Sequence, residues 1–326
     1  MTIRSYVIAA TFAVAFAVNA TAARAQSLPS PSPAPSQRQS LDDAWWTGPL
    51  LAPAAGTLPR GHLLVEPYVY DVMQYGSYDR NGALLAAQHQ NGFGNLTYII
   101  YGLVNRLSVG LIPTFGYTNV SSGPSSSNIG MGDLGVTAQY RLTPDTWLAK
   151  ASLAIQETFP TGAYENLGGD PNNGFGSGAY NTKVSLYTQT LAWMPNGRIL
   201  RLRLNLSQSF SSSASVYGVS VYGTGANFAG SVFPGATSTI DAAGEYSITS
   251  NWVLATDLVY GYSGNTRLTS ASATTNLGTS ESYAFAPAVE YNWNANVGLI
   301  GGVRLFPAGR NTSASVTPVF AINYVH

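Results

Sequence analysis

Leu200-Arg201-Leu202-Arg203-Leu204-Asn205-Leu206-Ser207 is the stretch that decides how this chain folds. Successive side chains on a β-strand point to opposite faces. Leu200, Leu202, Leu204, Leu206 and, further on, Phe210 therefore share one face, and Arg201, Arg203, Asn205 and Ser207 share the other. A helix would scatter them, because its apolar face recurs every three to four positions. The stretch reads as a strand with one greasy side and one side that carries two cations.

The same period extends outward from it. Residues 63–326 divide into about twelve such segments, of roughly 9 to 13 residues each. In one, Leu134, Val136, Ala138, Tyr140 and Leu142 oppose Asp133, Gly135, Thr137, Gln139 and Arg141. In another, Tyr283, Phe285, Pro287, Val289 and Tyr291 oppose Ser282, Ala284, Ala286, Ala288 and Glu290. At about 3.3 Å per residue and a tilt near 40°, ten residues cross roughly 25 Å, the apolar band of an outer-membrane barrel. The predicted fold is all-β: a closed antiparallel transmembrane β-barrel of about 12 strands, with short periplasmic turns and long extracellular loops.

Charge placement separates this fold from a soluble β-sandwich. The faces expected to line the lumen carry the acids Glu66, Asp133, Asp241, Glu245, Asp257 and Glu290. They also carry the bases Arg141, Lys150, Lys183, Arg201, Arg203 and Arg304, and the greasy faces carry Glu157 alone. A cation on the lipid face at mid-membrane costs about 2–4 kcal/mol, so a one-residue slip of every strand would cost on the order of 10–20 kcal/mol. Arg201 and Arg203 are expected to pair with Asp241 and Glu245 on the adjacent strand. Two roles for these charges are open together, stiffening the barrel and selecting solute. Ala284, Ala286, Ala288, Gly298 and Gly302 put small side chains on the inner wall, where either a solute passes or a plug packs.

Connectors alternate in length: long at 73–94, 118–130, 160–179, 211–237 and 263–280, short at 104–106, 143–146, 192–198, 249–251 and 292–296, and moderate at 308–313. Tyr140, Trp147, Trp193, Tyr246, Trp252, Tyr291 and Trp293 lie beside the short turns, where an aromatic girdle meets the inner interface. Tyr75, Tyr78 and Phe93 fall in the first long loop. The last segment turns Val316, Pro318, Phe320, Ile322 and Tyr324 outward. Barrels commonly finish on an aromatic residue read by the assembly machinery, and Tyr324-Val325-His326 departs from that by its final residue.

Composition agrees. Of 326 residues only 9% are charged, with 15 basic against 15 acidic, where soluble domains carry about 25%. The absence of a basic excess excludes a nucleic-acid binder, and the absence of cysteine excludes disulfides, thiolate nucleophiles and zinc-thiolate sites. No cofactor and no metal site is expected. Residues 1–25 read as a signal peptide, with Arg4, an apolar run and the cleavage motif Ala23-Arg24-Ala25. Residues 26–41 form a Pro/Ser-rich periplasmic linker suited to polyproline II, and 63–326 is the barrel. Between them, residues 42–62 hold Trp45, Trp46, Pro49 and Leu50. They could fold into the lumen from the periplasmic side as a hatch, or form an arm or strap across the barrel base.

Trp46-Thr47-Gly48-Pro49-Leu50-Leu51 and Thr57-Leu58-Pro59-Arg60-Gly61-His62 run into Val65-Glu66-Pro67-Tyr68. Further on come Tyr101-Gly102-Leu103, Asn105-Arg106-Leu107, Gly130-Met131-Gly132-Asp133-Leu134, Phe159-Pro160-Thr161-Gly162-Ala163-Tyr164 and Gly176-Ser177-Gly178. This series resembles the outer-membrane transporter-like family named for the meta-cleavage pathway of phenol degradation. The resemblance implies a secreted β-barrel that passes hydrophobic or aromatic compounds.

Gly130-Met131-Gly132-Asp133-Leu134-Gly135 also fits the dinucleotide pattern, but that pattern needs a strand before and a helix after. A loop-to-strand bend explains it better. The three histidines, His62, His89 and His326, lack the company a hydrolase or metal site requires, so no enzyme is expected. The expected function is an outer-membrane pore or facilitator for small, hydrophobic or aromatic molecules. The alternative is a closed-lumen barrel whose long loops serve surface interaction. Expected partners are outer-membrane lipid, a small-molecule solute and the barrel-assembly machinery, in a bacterial outer membrane reached with a cleaved signal peptide.

Overall fold

In hydrocarbon, backbone N–H and C=O groups have no water to bond, so a strand can span only if both its edges are paired, which a closed sheet achieves. A computed structural model describes residues 38–326. The signal peptide at 1–25 and residues 26–37 of the linker lie outside the described residues.

The wall begins with β1 (Leu63–Tyr78) and β2 (Leu84–Val104). It continues with β3 (Leu107–Ile112) extended by β4 (Thr114–Val120), then the two-residue β5 (Gly130–Met131) extended by β6 (Leu134–Arg141). Next come β7 (Lys150–Phe159), β8 (Asn181–Trp193) and β9 (Ile199–Ser211). After β10 (Ala214–Tyr217) and β11 (Ala229–Phe233) the wall resumes with β12 (Thr237–Ser247) and β13 (Trp252–Ser263). After β14 (Arg267–Ser270) and β15 (Thr274–Asn276) it finishes with β16 (Ser280–Asn294), β17 (Val297–Arg310) and β18 (Thr312–Val325). β1 pairs antiparallel with both β2 and β18, so the sheet closes into a 12-strand barrel. The seam is fastened at its end by Leu63 and His326, whose backbones exchange both hydrogen bonds. β3 and β4 are one stave broken at Pro113, which has no N–H for the ladder, although its carbonyl still accepts from Thr97 N.

Burial follows the period of two. Along β9, Leu202, Leu204 and Leu206 are exposed to the bilayer side while Arg201, Arg203 and Asn205 are buried. Near the short turns the Trp252 ring lies tilted against Tyr291, and Tyr291 meets Trp293 edge to face, with ring centroids 4.7 and 5.4 Å apart. Trp193 is an exception to the girdle. It falls on the inward parity of β8, and its indole N–H donates to Gln39 O at 3.0 Å.

Several expectations need correction. The first long loop is only the turn 79–83, because β1 and β2 stay paired from Gly76–Ala86 to Tyr78–Leu84, above the membrane band. Asp79 organises this turn by accepting from Asn81 N and Ala83 N, each at 2.8 Å. Those N–H groups, Ala83 first, hold its carboxyl below the usual range. Leaving the lipid ends the need for apolar side chains but not the gain from hydrogen bonding. Phe93 and Tyr75 accordingly sit on outward strand faces, and Tyr78 is buried with its hydroxyl on Phe306 O. The last connector shrinks likewise to Asn311, in the left-handed region at φ 47°. The outward faces also carry a second acid. Asp71 alternates with exposed Val69 and Met73 and accepts from Asn91 at 2.8 Å.

The connectors at 212–236 and 264–279 are ordered. β10, β11, β14 and β15 form a separate four-stranded sheet, with its own core of Ala179, Ala214, Val216, Val232 and Leu268.

Leu204→Arg is expected to destabilise the folded barrel by about 2–4 kcal/mol, measured by denaturant titration in lipid vesicles. A cost near zero would mean that β9 does not face hydrocarbon.

Candidate functional site in the barrel lumen

Inward faces place the lumen charges, and backbone from residues 38–62 meets them. Gln39 is clamped at the β8–β9 turn: its N–H donates to Gly197 O, and its side-chain oxygen accepts from Ile199 N. A single 3-10 turn (Leu41–Asp43) follows. The chain then rises along the β16–β17 wall, where Thr47 N–H donates to Glu290 Oε2 at 2.7 Å and Thr47 Oγ1 bonds Asn292 at 2.9 Å. Gly298 is required there, since a Cβ would overlap the Thr47 hydroxyl.

Leu50 and Ala52 are buried and Pro53 is exposed at the tip of the excursion. Ala52 N–H donates to Asp257 Oδ1 at 3.0 Å, its carbonyl accepts from Arg203 at 2.5 Å, and Asn205 donates to Pro53 O at 2.9 Å. The return leg is held by Gln139 on Ala54 O, Gln189 on Ala55 N and Ser152 on Ala55 O. Arg60 N on Asn105 Oδ1 brings the chain back to the rim where β1 starts. Wall side chains thus satisfy the backbone of an irregular segment inside the barrel, as a buried irregular segment requires.

The ions divide into groups. Glu245, fully buried, accepts from Arg201 through both its oxygens and lies 3.0 Å from Arg203 Nε. The Trp46 ring covers Arg201 at 4.6 Å. The expected pairing of the arginines with Asp241 does not form, because the ladder sets Glu245 opposite Arg201 but Asp241 opposite Asn205. Glu66 accepts from Asn323 at 3.1 Å. Arg141 serves the periplasmic rim, reaching Asp145, Asn105 O and Thr57. Lys150 donates to Asp145 O at 2.5 Å. Asp133 sits at the opposite rim and grips the 160–179 loop through Gly162 N and the N–H and hydroxyl of Ser177. Arg304 lies over the Phe306 ring at 5.0 Å, and Lys183 is half-buried on β8.

Amid these ions lies an apolar island. Leu50 packs with Ala255, Ala286, Ala288, Ile300 and Ala321, and Leu51, Tyr68 and Val319 close over it. Alternation alone does not reveal it, because its members come from four strands and the segment before them. Trp45 and Pro49 belong to the ascending leg beside Trp46, and Asn292 donates to Trp45 O. His62 and His326 lie at the seam where β1 starts, and His89 lies in the protruding first hairpin.

No protein-family model matches the chain, and no curated protein does. Its fold is similar to that of an outer membrane channel from Pseudomonas putida F1. The TM-score is 0.66 at 16% identity, over 83% of this chain and 98% of that one. A mutant of the TodX monoaromatic hydrocarbon channel aligns at TM-score 0.47 and 11% identity, covering 89% of this chain and 97% of that one. The beta domain of the Bordetella autotransporter BrkA aligns at 0.47 and 10%, covering 82% and 100%.

Glu245→Gln is expected to cost about 3–5 kcal/mol, since two buried guanidiniums lose their shared counter-ion. Thermal unfolding in detergent would measure it, and a loss under 1 kcal/mol would show that the triad contributes nothing to holding the wall together.

Proposed function

We propose that the chain is an outer-membrane channel for small apolar solutes, aromatic ones included, and that residues 42–62 act as its hatch. The apolar island carries this reading. A lumen lined only by ions would suit hydrophilic solutes, whereas here Leu50 and Leu51 lie against a wall of alanines inside a charged ring. Residues 42–62 are held mainly through backbone groups, which releases a hatch without exposing charges of its own. Its charged residues, Asp42, Asp43 and Arg60, lie at the ends of the segment.

Export behind a cleaved signal peptide, insertion by the barrel-assembly machinery and residence in the bacterial outer membrane belong to the same proposal. They are supported by the apolar exterior and by the N-terminal motif. Membership of the phenol meta-pathway family rests on the motifs quoted above. The second extracellular sheet favours an added surface role for the long loops, and the reading assigns no catalysis.

Replacing residues 44–58 by a short Gly/Ser linker is expected to raise single-channel conductance several-fold. In that variant, phenol-sized aromatics should interrupt the ionic current more than sugars of equal size. Unchanged conductance would remove the hatch from the proposal, and equal block by sugars would remove the apolar preference.

A further inference from the structure

Among the described residues of the lumen faces five carboxylates are buried, Glu66, Asp241, Glu245, Asp257 and Glu290, and Arg201 and Arg203 are the guanidiniums buried with them. Both arginines are committed to Glu245, and Arg203 also to Ala52 O. Asp241, 6% exposed, makes no hydrogen bond or ion pair among the described residues, and its Oδ1 is fully enclosed. Asp257, fully buried, uses Oδ1 for Ala52 N–H at 3.0 Å, with the Leu51 N–H also turned toward the carboxylate, while Oδ2 makes no hydrogen bond of normal geometry. The β12–β13 register sets Asp257 opposite Ala243, so Asp241 and Asp257 are diagonal neighbours on one inward face, about 7–8 Å apart. Asp257 is also the cross-strand partner of Ala286 in the apolar island.

A buried carboxylate oxygen without a donor is relieved by taking up a proton or by pairing with a cation. Among the described residues no three metal-ligating side chains converge, so a divalent ion lacks its ligand set. An ammonium group needs less, because its three N–H donors match the Asp257 oxygens and Asp241 Oδ1. On the strength of the channel reading above, we infer that this is a binding site for a primary ammonium carrying an apolar body, and that the tip of residues 42–62 occupies it by imitation. Ala52 supplies one N–H to Asp257, and Leu50 and Leu51 supply the apolar body against Ala286 and Ala288. The imitation is incomplete, since backbone amides bring no charge and reach only Asp257, which leaves Asp241 unmatched. An amphiphilic amine satisfies more of the site than the tip does, and displaces it.

The test is calorimetric titration of the full-length barrel in detergent with hexylammonium and with 1-hexanol, alongside single-channel recording. Hexylammonium is expected to bind at least about tenfold more tightly than hexanol, the value of a charge-assisted hydrogen bond. Asp241→Asn should abolish that margin, and replacing residues 44–58 should increase hexylammonium affinity by removing its competitor. Equal binding of the two probes to the wild-type protein overturns the inference, and does so even if the variant fails to fold. A margin that survives Asp241→Asn, or affinity that falls when the tip is removed, overturns it too. Failure of the channel reading looks different: the amine still binds with its margin, but no solute alters the current.

Discussion

Hydrocarbon accepts neither ions nor unpaired backbone groups, and everything else in this barrel follows from that exclusion. Leu202, Leu204 and Leu206 face lipid, so Arg201 and Arg203, one residue away in each case, must face the lumen. Repeating this around the wall collects charge in a narrow interior, where it must be neutralised locally. Glu245 does so for two arginines, and the main chain of residues 44–58 meets Glu290 through Thr47 N–H and Asp257 through Ala52 N–H.

The crossing segment is therefore part of the electrostatic architecture as well as an obstruction. A lumen full of side-chain donors and acceptors can hold an irregular strand of almost any side-chain composition, because the bonds go to its backbone. Its own side chains then remain available for other work. Trp46 covers Arg201, and Leu50 and Leu51 face the alanine wall. The glycines at the contact have the same origin, since Gly298 leaves room for Thr47 where any side chain would collide.

The alternation of Leu and Arg along β9, and of Ala and Tyr or Phe along β16, was enough to read the barrel and the two faces of its strands. Pairing was harder to read. Whether Asp241 or Glu245 meets an arginine depends on the β9–β12 offset, which the periodicity of one strand does not contain. Hairpin lengths were misread for a related reason. Pattern reports where lipid stops, whereas β1 and β2 continue to Tyr78 and from Leu84 on hydrogen bonding alone. Asp71 escaped notice because a single acid among Val69 and Met73 hardly disturbs an otherwise apolar face. A lumen hatch at residues 42–62 was open in the sequence, but its path was not legible, since its partners include wall groups 45 to 247 positions away.

Gln39 is fastened at one side of the periplasmic mouth and Arg60 at another, so the intervening span is a bucket handle rather than a ball on a chain. Dislodging its middle leaves both ankles in place. Reclosure is then an intramolecular step with a high local concentration of the returning loop. For the hatch proposed above, dilution, crowding and the abundance of neighbouring barrels would then have no purchase on how quickly the passage reseals.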